Sequence, residues 1–342
     1  MRRTTVILLT FLFFLTSWAQ AEIGLNPLNW FSDPEDEALI TIDVANAAEE
    51  AEAAALLERG KNQLLSGSRF SAARTFKGLI KDYPTAPATA EARFLYAEIF
   101  MLKNRWKKAF DQLQGIIDEQ PNYPKFDAVI AAQFDCATAL MEGARGRILW
   151  VLPGFKQYGV AIDQFEQIVR NAPYSAYAPL SLMNVALIAQ EQDEPEEVID
   201  ALDRLINYYP QSMLAPDAYF NMAETYANLV KGPAYDQGST RDAISYYEDY
   251  LILFPESEYL GEVESNLRGM EDLLARSKLN LGDFYYNYRS NNTAALVYYN
   301  ETVTIAPDSE AADEARQRIE SIEAGVSPIT GGNLMRRLIR AD

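Results

Sequence analysis

The chain has 342 residues, 49 acidic and 30 basic side chains, and a formal charge of −19 at pH 7. With no histidine and one cysteine it can assemble neither a standard zinc site nor an internal disulfide. A body this acidic, with no basic stripe, disfavours nucleic acid; taken alone, the charge speaks only for solubility.

Residues 1–21 read as a secretory leader. Arg2 and Arg3 precede an apolar core from Val6 to Leu15, which is too short to span a bilayer. Ala19-Gln20-Ala21 supplies small residues for cleavage after Ala21. Residues 22–42, with Pro27, Pro34 and the run DPEDE, read as a linker.

From 43 to 324 the pattern is helical and repeats. Residue pairs ending in Pro84, Pro121, Pro173, Pro210, Pro255 and Pro307 recur at spacings of 37, 52, 37, 45 and 52 residues. Twelve residues before each proline stand Ala72, Ala109, Ala161, Val198, Ala243 and Ala295. Eight before stand Phe76, Leu113, Phe165, Leu202, Tyr247 and Tyr299. A small residue one helical turn ahead of a large one suits the second helix of a hairpin that presses closely on the first. In hairpin one, Gly60 and Gly67 add a tight-contact and a turn position.

These offsets resemble the tetratricopeptide repeat (TPR). The fold expected is all-α: an α-solenoid of about six TPR-like helical hairpins with a C-terminal capping helix. The hairpins fall at about 43–84, 87–121, 125–173, 175–210, 212–255 and 258–307, and the cap at about 309–324. Each hairpin has too little core to fold alone, so consecutive hairpins stack. Proline ends each second helix. Ser175, Ser212, Ser257 and Ser309 are candidate N-caps, with Pro179 and Pro216 in the following first turns. Residues 258–288 read as one very long helix, continuous or broken.

Two segments depart from the repeat. Residues 146–157 (GRILWVLPGFKQ) carry Trp150, Leu152 and Phe155, too apolar for an ordinary solvated loop. They either cover an open edge or form a partner-binding protrusion. The tail 325–342 is Gly-rich, then basic and apolar, with Arg336, Arg337 and Arg340. It reads as a frayed terminus or as a membrane contact.

Catalytic patterns are missing. The sequence has no GxxxxGK[ST] loop, GxGxxG or GxSxG. Cys136 sits on an apolar helical pattern and reads as a small buried hydrophobe. Glu49-Glu50 and Glu196-Glu197 read as solvated helix starts. No enzyme activity, metal or cofactor is expected. Recognition remains. Helical spacing turns Phe94, Glu98 and Met101, then Met183 and Leu187, then Phe220, Glu224 and Asn228 toward a groove lined by first helices. Phe94, Met183 and Phe220 fit either inter-helix core or a partly apolar peptide groove. Asp236-Gln237 fits a loop and helix start, capped by Ser239 or Thr240, better than an ion site.

The stretch from Tyr235 to Pro307 resembles BamD-type lipoproteins. The residues that carry the likeness are Asp236-Gln237, Ala243, Phe254-Pro255-Glu256-Ser257-Glu258-Tyr259, Leu274-Ala275, Gly282-Asp283-Phe284-Tyr285, Ala294-Ala295 and Pro307-Asp308-Ser309. The resemblance implies a periplasmic scaffold at the inner face of the outer membrane. Its partners would be the POTRA domains of a BamA-like insertase, other outer-membrane assembly proteins and unfolded β-barrel substrates. Asp236, Gln237, Gly282, Phe284, Tyr285 and Arg289 would face the insertase, and the N-terminal repeats the substrate. The family's lipid-bearing Cys is replaced by Trp18, so attachment is expected through protein contacts. The alternative is an exported TPR adaptor serving cell-wall or cell-division complexes.

Overall fold

The structure, a computed structural model, describes residues 47–143, 157–234 and 237–326. The expected leader and linker, Trp150, Leu152, Phe155, Asp236 and the tail arginines lie outside them.

Thirteen helices and no strand occur among the described residues. In chain order they are α1 (Ala47–Leu65), α2 (Arg69–Asp82), α3 (Pro87–Met101), α4 (Trp106–Glu119), α5 (Phe126–Met141), α6 (Tyr158–Asn171) and α7 (Tyr177–Glu191). They continue with α8 (Pro195–Tyr208), α9 (Ala215–Leu229), α10 (Gln237–Leu253), α11 (Leu260–Asn287), α12 (Asn292–Ile305) and α13 (Glu310–Glu323). Paired in order, α1 to α12 make six hairpins, and α13 packs on α11 and α12. This is the expected all-α solenoid.

The repeat positions explain the packing. All twelve residues at the two offsets are at most 3% exposed. Burying a side chain the size of Phe76 or Leu113 contributes about 1.5–3 kcal/mol. The facing first helix must be small there: Ala97 shares a core with Leu113, Ala186 with Leu202, and Ala223 with Tyr247. Where the large residue is Phe76 or Tyr299, the facing residue is Gly60 or Gly282, and a Cβ there would run into the ring.

Every corner between hairpins closes the same way. The residue before the proline accepts a backbone N–H three residues on: Tyr83 from Ala86, Gln120 from Tyr123, Ala172 from Ser175, Tyr209 from Ser212, Phe254 from Ser257 and Ala306 from Ser309. Proline biases its predecessor out of the helical region. Accordingly Tyr83, Gln120, Ala172 and Tyr209 have φ of −134°, −139°, −142° and −129°.

That geometry corrects three of the four proposed serine caps. Ser309 caps α13, accepting Ala312 N–H at 3.1 Å. Ser175, Ser212 and Ser257 instead lie within the corner turn, and α7, α9 and α11 start two to three residues later. Their hydroxyls lock the corners: Ser175 Oγ donates to Ala172 O, and Ser212 Oγ accepts from Leu214 N. Ser257 Oγ accepts from Tyr259 N and pairs with Tyr250 OH at 2.6 Å. Ser239 and Thr240 do not precede α10; both are buried inside it. Pro179 and Pro216 do stand in first turns. Turns within hairpins use a left-handed residue: Gly67 (φ 79°), Asn104 (53°), Asp193 (58°) and Ser290 (50°).

The helix α11 is continuous over 28 residues, about 42 Å at 1.5 Å per residue. Its first half contributes Val263, Leu267 and Met270 to the core around Tyr247 and Tyr250. Its second half contributes Ala275, Leu279 and Tyr286 to a separate core with Ala295, Tyr299 and Ala315.

Candidate partner-binding surfaces

The groove residues expected on α3, α7 and α9 divide into internal and external sets. Met183 is 8% exposed and belongs to the core. Phe94 and Met101 are half-buried against the same core. Phe220 packs its ring on Tyr259 and Tyr250, each at 6.3 Å. Glu224 is engaged internally, accepting the hydroxyl of Tyr247 and the Asn266 amide at 2.7 Å. Burial and that bond to Glu224 push the Tyr247 phenol well above its ordinary range. Glu98, Leu187 and Asn228 reach solvent. Leu180, about two turns before Leu187 on α7, is exposed as well and extends the stripe that sequence spacing began.

Hairpin two places two carboxylates in contrast. Burial alone would raise Glu91, but hydrogen bonds from Lys125 (2.8 and 2.9 Å) and from Tyr123 OH bring it below its ordinary value. Glu98, two turns on and free of such donors, is pushed up by burial and by the charge of Glu91. A groove here would present a carboxyl group that is readily neutralised.

At the C-terminal end, Gln237 is a stitch: its Nε2 donates to Ser277 Oγ on α11 at 2.8 Å. Gly282 is buried under Tyr299 and contributes space rather than contact. Phe284 is 46% exposed and stacks on Tyr288 at 6.0 Å. Tyr285 stacks on Tyr298 at 5.4 Å, and Arg289 lies exposed beside them. Tyr288 (78% exposed) belongs to this aromatic end, and Val297 (53%) lies exposed on α12; neither was singled out from the sequence. Their exposure depends on where α12 lands on α11, which periodicity alone does not give.

Because α10 and α12 sit on different halves of α11, a groove of about 840 Å³ opens between them. Its floor is Leu274 and Lys278 of α11, and its wall is Leu296, Val297 and Ile305 of α12. Lys278 Nζ lies 2.5 Å from Glu301 and 5.8 Å from the centre of the Tyr298 ring. The length of α11 was the sequence signal for this groove.

Reactive chemistry is not prominent. Cys136 is fully buried, and burial followed by the charge of Asp135 pushes its thiol up to about 12. Among the described residues no three potential ligands cluster for a metal, and no helix is long and apolar enough to cross a membrane.

A family model described as YfiO, outer membrane lipoprotein, matches residues 154–325, and a tetratricopeptide-repeat model matches 57–124. Two curated relatives are each named outer membrane protein assembly factor BamD. The one from Rickettsia prowazekii is 26% identical over 148 residues, covering 43% of this chain and 59% of the relative. The one from Caulobacter vibrioides is 26% identical over 125 residues, covering 36% of this chain and 41% of the relative. The chain thus spans about half the length of these relatives. Among solved structures, a MamA double mutant is 14% identical with a TM-score of 0.32, covering 60% of this chain and 96% of that one. A TPR protein of Thermus thermophilus is 17% identical with a TM-score of 0.29, covering 63% and 98%.

Proposed function

We propose, from the premise that the chain belongs to the YfiO family of outer membrane lipoproteins, that it is a non-enzymatic scaffold in the assembly of outer-membrane β-barrel proteins. It works in the periplasm at the inner face of the outer membrane. The observation that carries this reading is the extent of the family match. It runs over 154–325, which takes in α6 to α13 and with them the aromatic end and the groove on α11. The names of the two relatives supply the process.

In this reading the aromatic end, with Phe284, Tyr285, Tyr288 and Arg289, meets the periplasmic POTRA domains of a BamA-like insertase. Large exposed aromatic side chains and an arginine are the residue types that anchor protein interfaces. The stripe of Leu180 and Leu187, with Glu98 and Asn228, receives unfolded β-barrel segments.

The test is site-specific photo-cross-linking in membranes, with the reactive group at Tyr288 or Val297 and, separately, at Leu187. The expected products are an insertase adduct from the first pair and adducts to newly exported barrel chains from Leu187. Adducts to cell-wall or division proteins alone would overturn the proposal in favour of an adaptor for those complexes.

A further inference from the structure

Three consecutive corners carry large apolar side chains in solvent. Tyr174 is fully exposed, Tyr208 and Met213 are 74% and 95% exposed, and Leu253 and Tyr259 are 52% and 47%. The corners form a continuous edge. Tyr209 OH donates to the Pro173 carbonyl at 2.7 Å across the first two. Met213 and Tyr259 line one notch of about 650 Å³ across the last two.

The notch is rigidly backed. Phe254 packs edge-on to Tyr219 at 5.6 Å and Tyr250 at 5.3 Å, Phe220 stacks on Tyr259, and Tyr250 OH holds Ser257. Phe254 and Tyr259 are therefore held in place along the notch. Around its rim stand Asp217, Glu256 and Glu258, all exposed, and no lysine or arginine lines it. Some carboxylates elsewhere do have cations: Glu91 has Lys125, and Glu310 and Glu314 share Arg276.

The geometry points to a docking edge for a partner polypeptide segment that combines basic and apolar side chains. The apolar side chains of such a segment cover Met213, Leu253 and Tyr259. An arginine or lysine lays its stem along the same wall and turns its head to the three carboxylates. A guanidinium also stacks favourably on the Tyr259 ring. An anionic lipid surface has the wrong charge for this rim. The site is separate from both surfaces assigned above and does not depend on them.

The test uses the full chain and a fluorescein-labelled decapeptide of alternating arginine and leucine, followed by anisotropy. Saturable binding is expected. It should weaken at least tenfold when Asp217→Asn, Glu256→Gln and Glu258→Gln are combined, and at least tenfold in Met213→Ser combined with Tyr259→Ser. Peptides with glutamine for arginine, or serine for leucine, should also lose at least tenfold. Neutralising three exposed carboxylates elsewhere, Glu142→Gln, Glu197→Gln and Glu320→Gln, should change binding less than twofold. Unaltered helical spectra keep the comparison valid. The proposal is overturned if the peptide does not bind, if the distant triple variant weakens it equally, or if the serine-for-leucine peptide binds as well. It is overturned too if phosphatidylethanolamine–phosphatidylglycerol vesicles, and not the peptide, depend on Met213 and Tyr259.

Discussion

A Cβ built on Gly282 would lie 2.5 Å from Cε1 of Tyr299, whose ring is fully buried. Alanine normally stabilises a helix interior over glycine by about 0.5–1 kcal/mol. At Gly282 overpacking costs about 1–3 kcal/mol and wins. Gly269 on the same helix has open space around its Cβ position. Gly282→Ala should lower the urea midpoint and Gly269→Ala should raise it. Equal responses would mean that α12 packs on α11 in a different register.

Tyr247 and Asn266 both serve Glu224. A hydrogen bond to a charged group contributes about 1.5–3 kcal/mol. Tyr247→Phe should destabilise by that amount, and Tyr247→Phe with Asn266→Ala by more than the sum of the single changes, since the carboxylate is then left without either donor. Chemical denaturation of the four-member cycle measures the coupling.

Glu91 and Glu98 should respond to pH with opposite signs. The folded-state pKa of Glu91 is lowered, so its contribution is present above the unfolded value of about 4.5 and is lost as pH falls through the folded value. That of Glu98 is raised, so the folded state binds its proton more readily and gains stability as pH falls toward the raised value. Glu98→Gln should therefore remove a stabilisation on acidification from pH 7 toward 5, and Glu91→Gln should remove a loss below about 4.5. Urea midpoints at pH 4, 5, 6 and 7 separate the two.

Cys136 should be silent toward thiol reagents in the native protein. Its thiol is buried and its pKa is pushed up to about 12, leaving almost no thiolate at pH 8. Mixing with a chromogenic disulfide should give no release until denaturant unfolds α5. Prompt native-state labelling would show that the α5 face opens.

The fold was legible because its determinants are local. Ala72 through Ala295 and Phe76 through Tyr299 can be counted from a proline, and all are buried. The site was legible only in part. Glu98 and Leu187 were placed on an exposed face by helical spacing alone. Met183 and Glu224 obey the same spacing, yet the core takes in the one, and Tyr247 of the same hairpin and Asn266 of the next engage the other. Those partners lie 23 and 42 residues away, at distances no repeat offset encodes. Ser257 illustrates a different miss: its hydroxyl was free to cap a helix until Tyr250 and the corner geometry claimed it.

The undivided helix α11 makes the last two hairpins mechanically dependent. It has no joint between the core around Tyr247 and the core around Tyr299. A tilt of about 5° imposed at Phe284 would swing the Leu260 end by about 3 Å, over the ~36 Å between them in a straight helix. A partner seated on the aromatic end would thus alter the notch beside Tyr259 by leverage, without touching it.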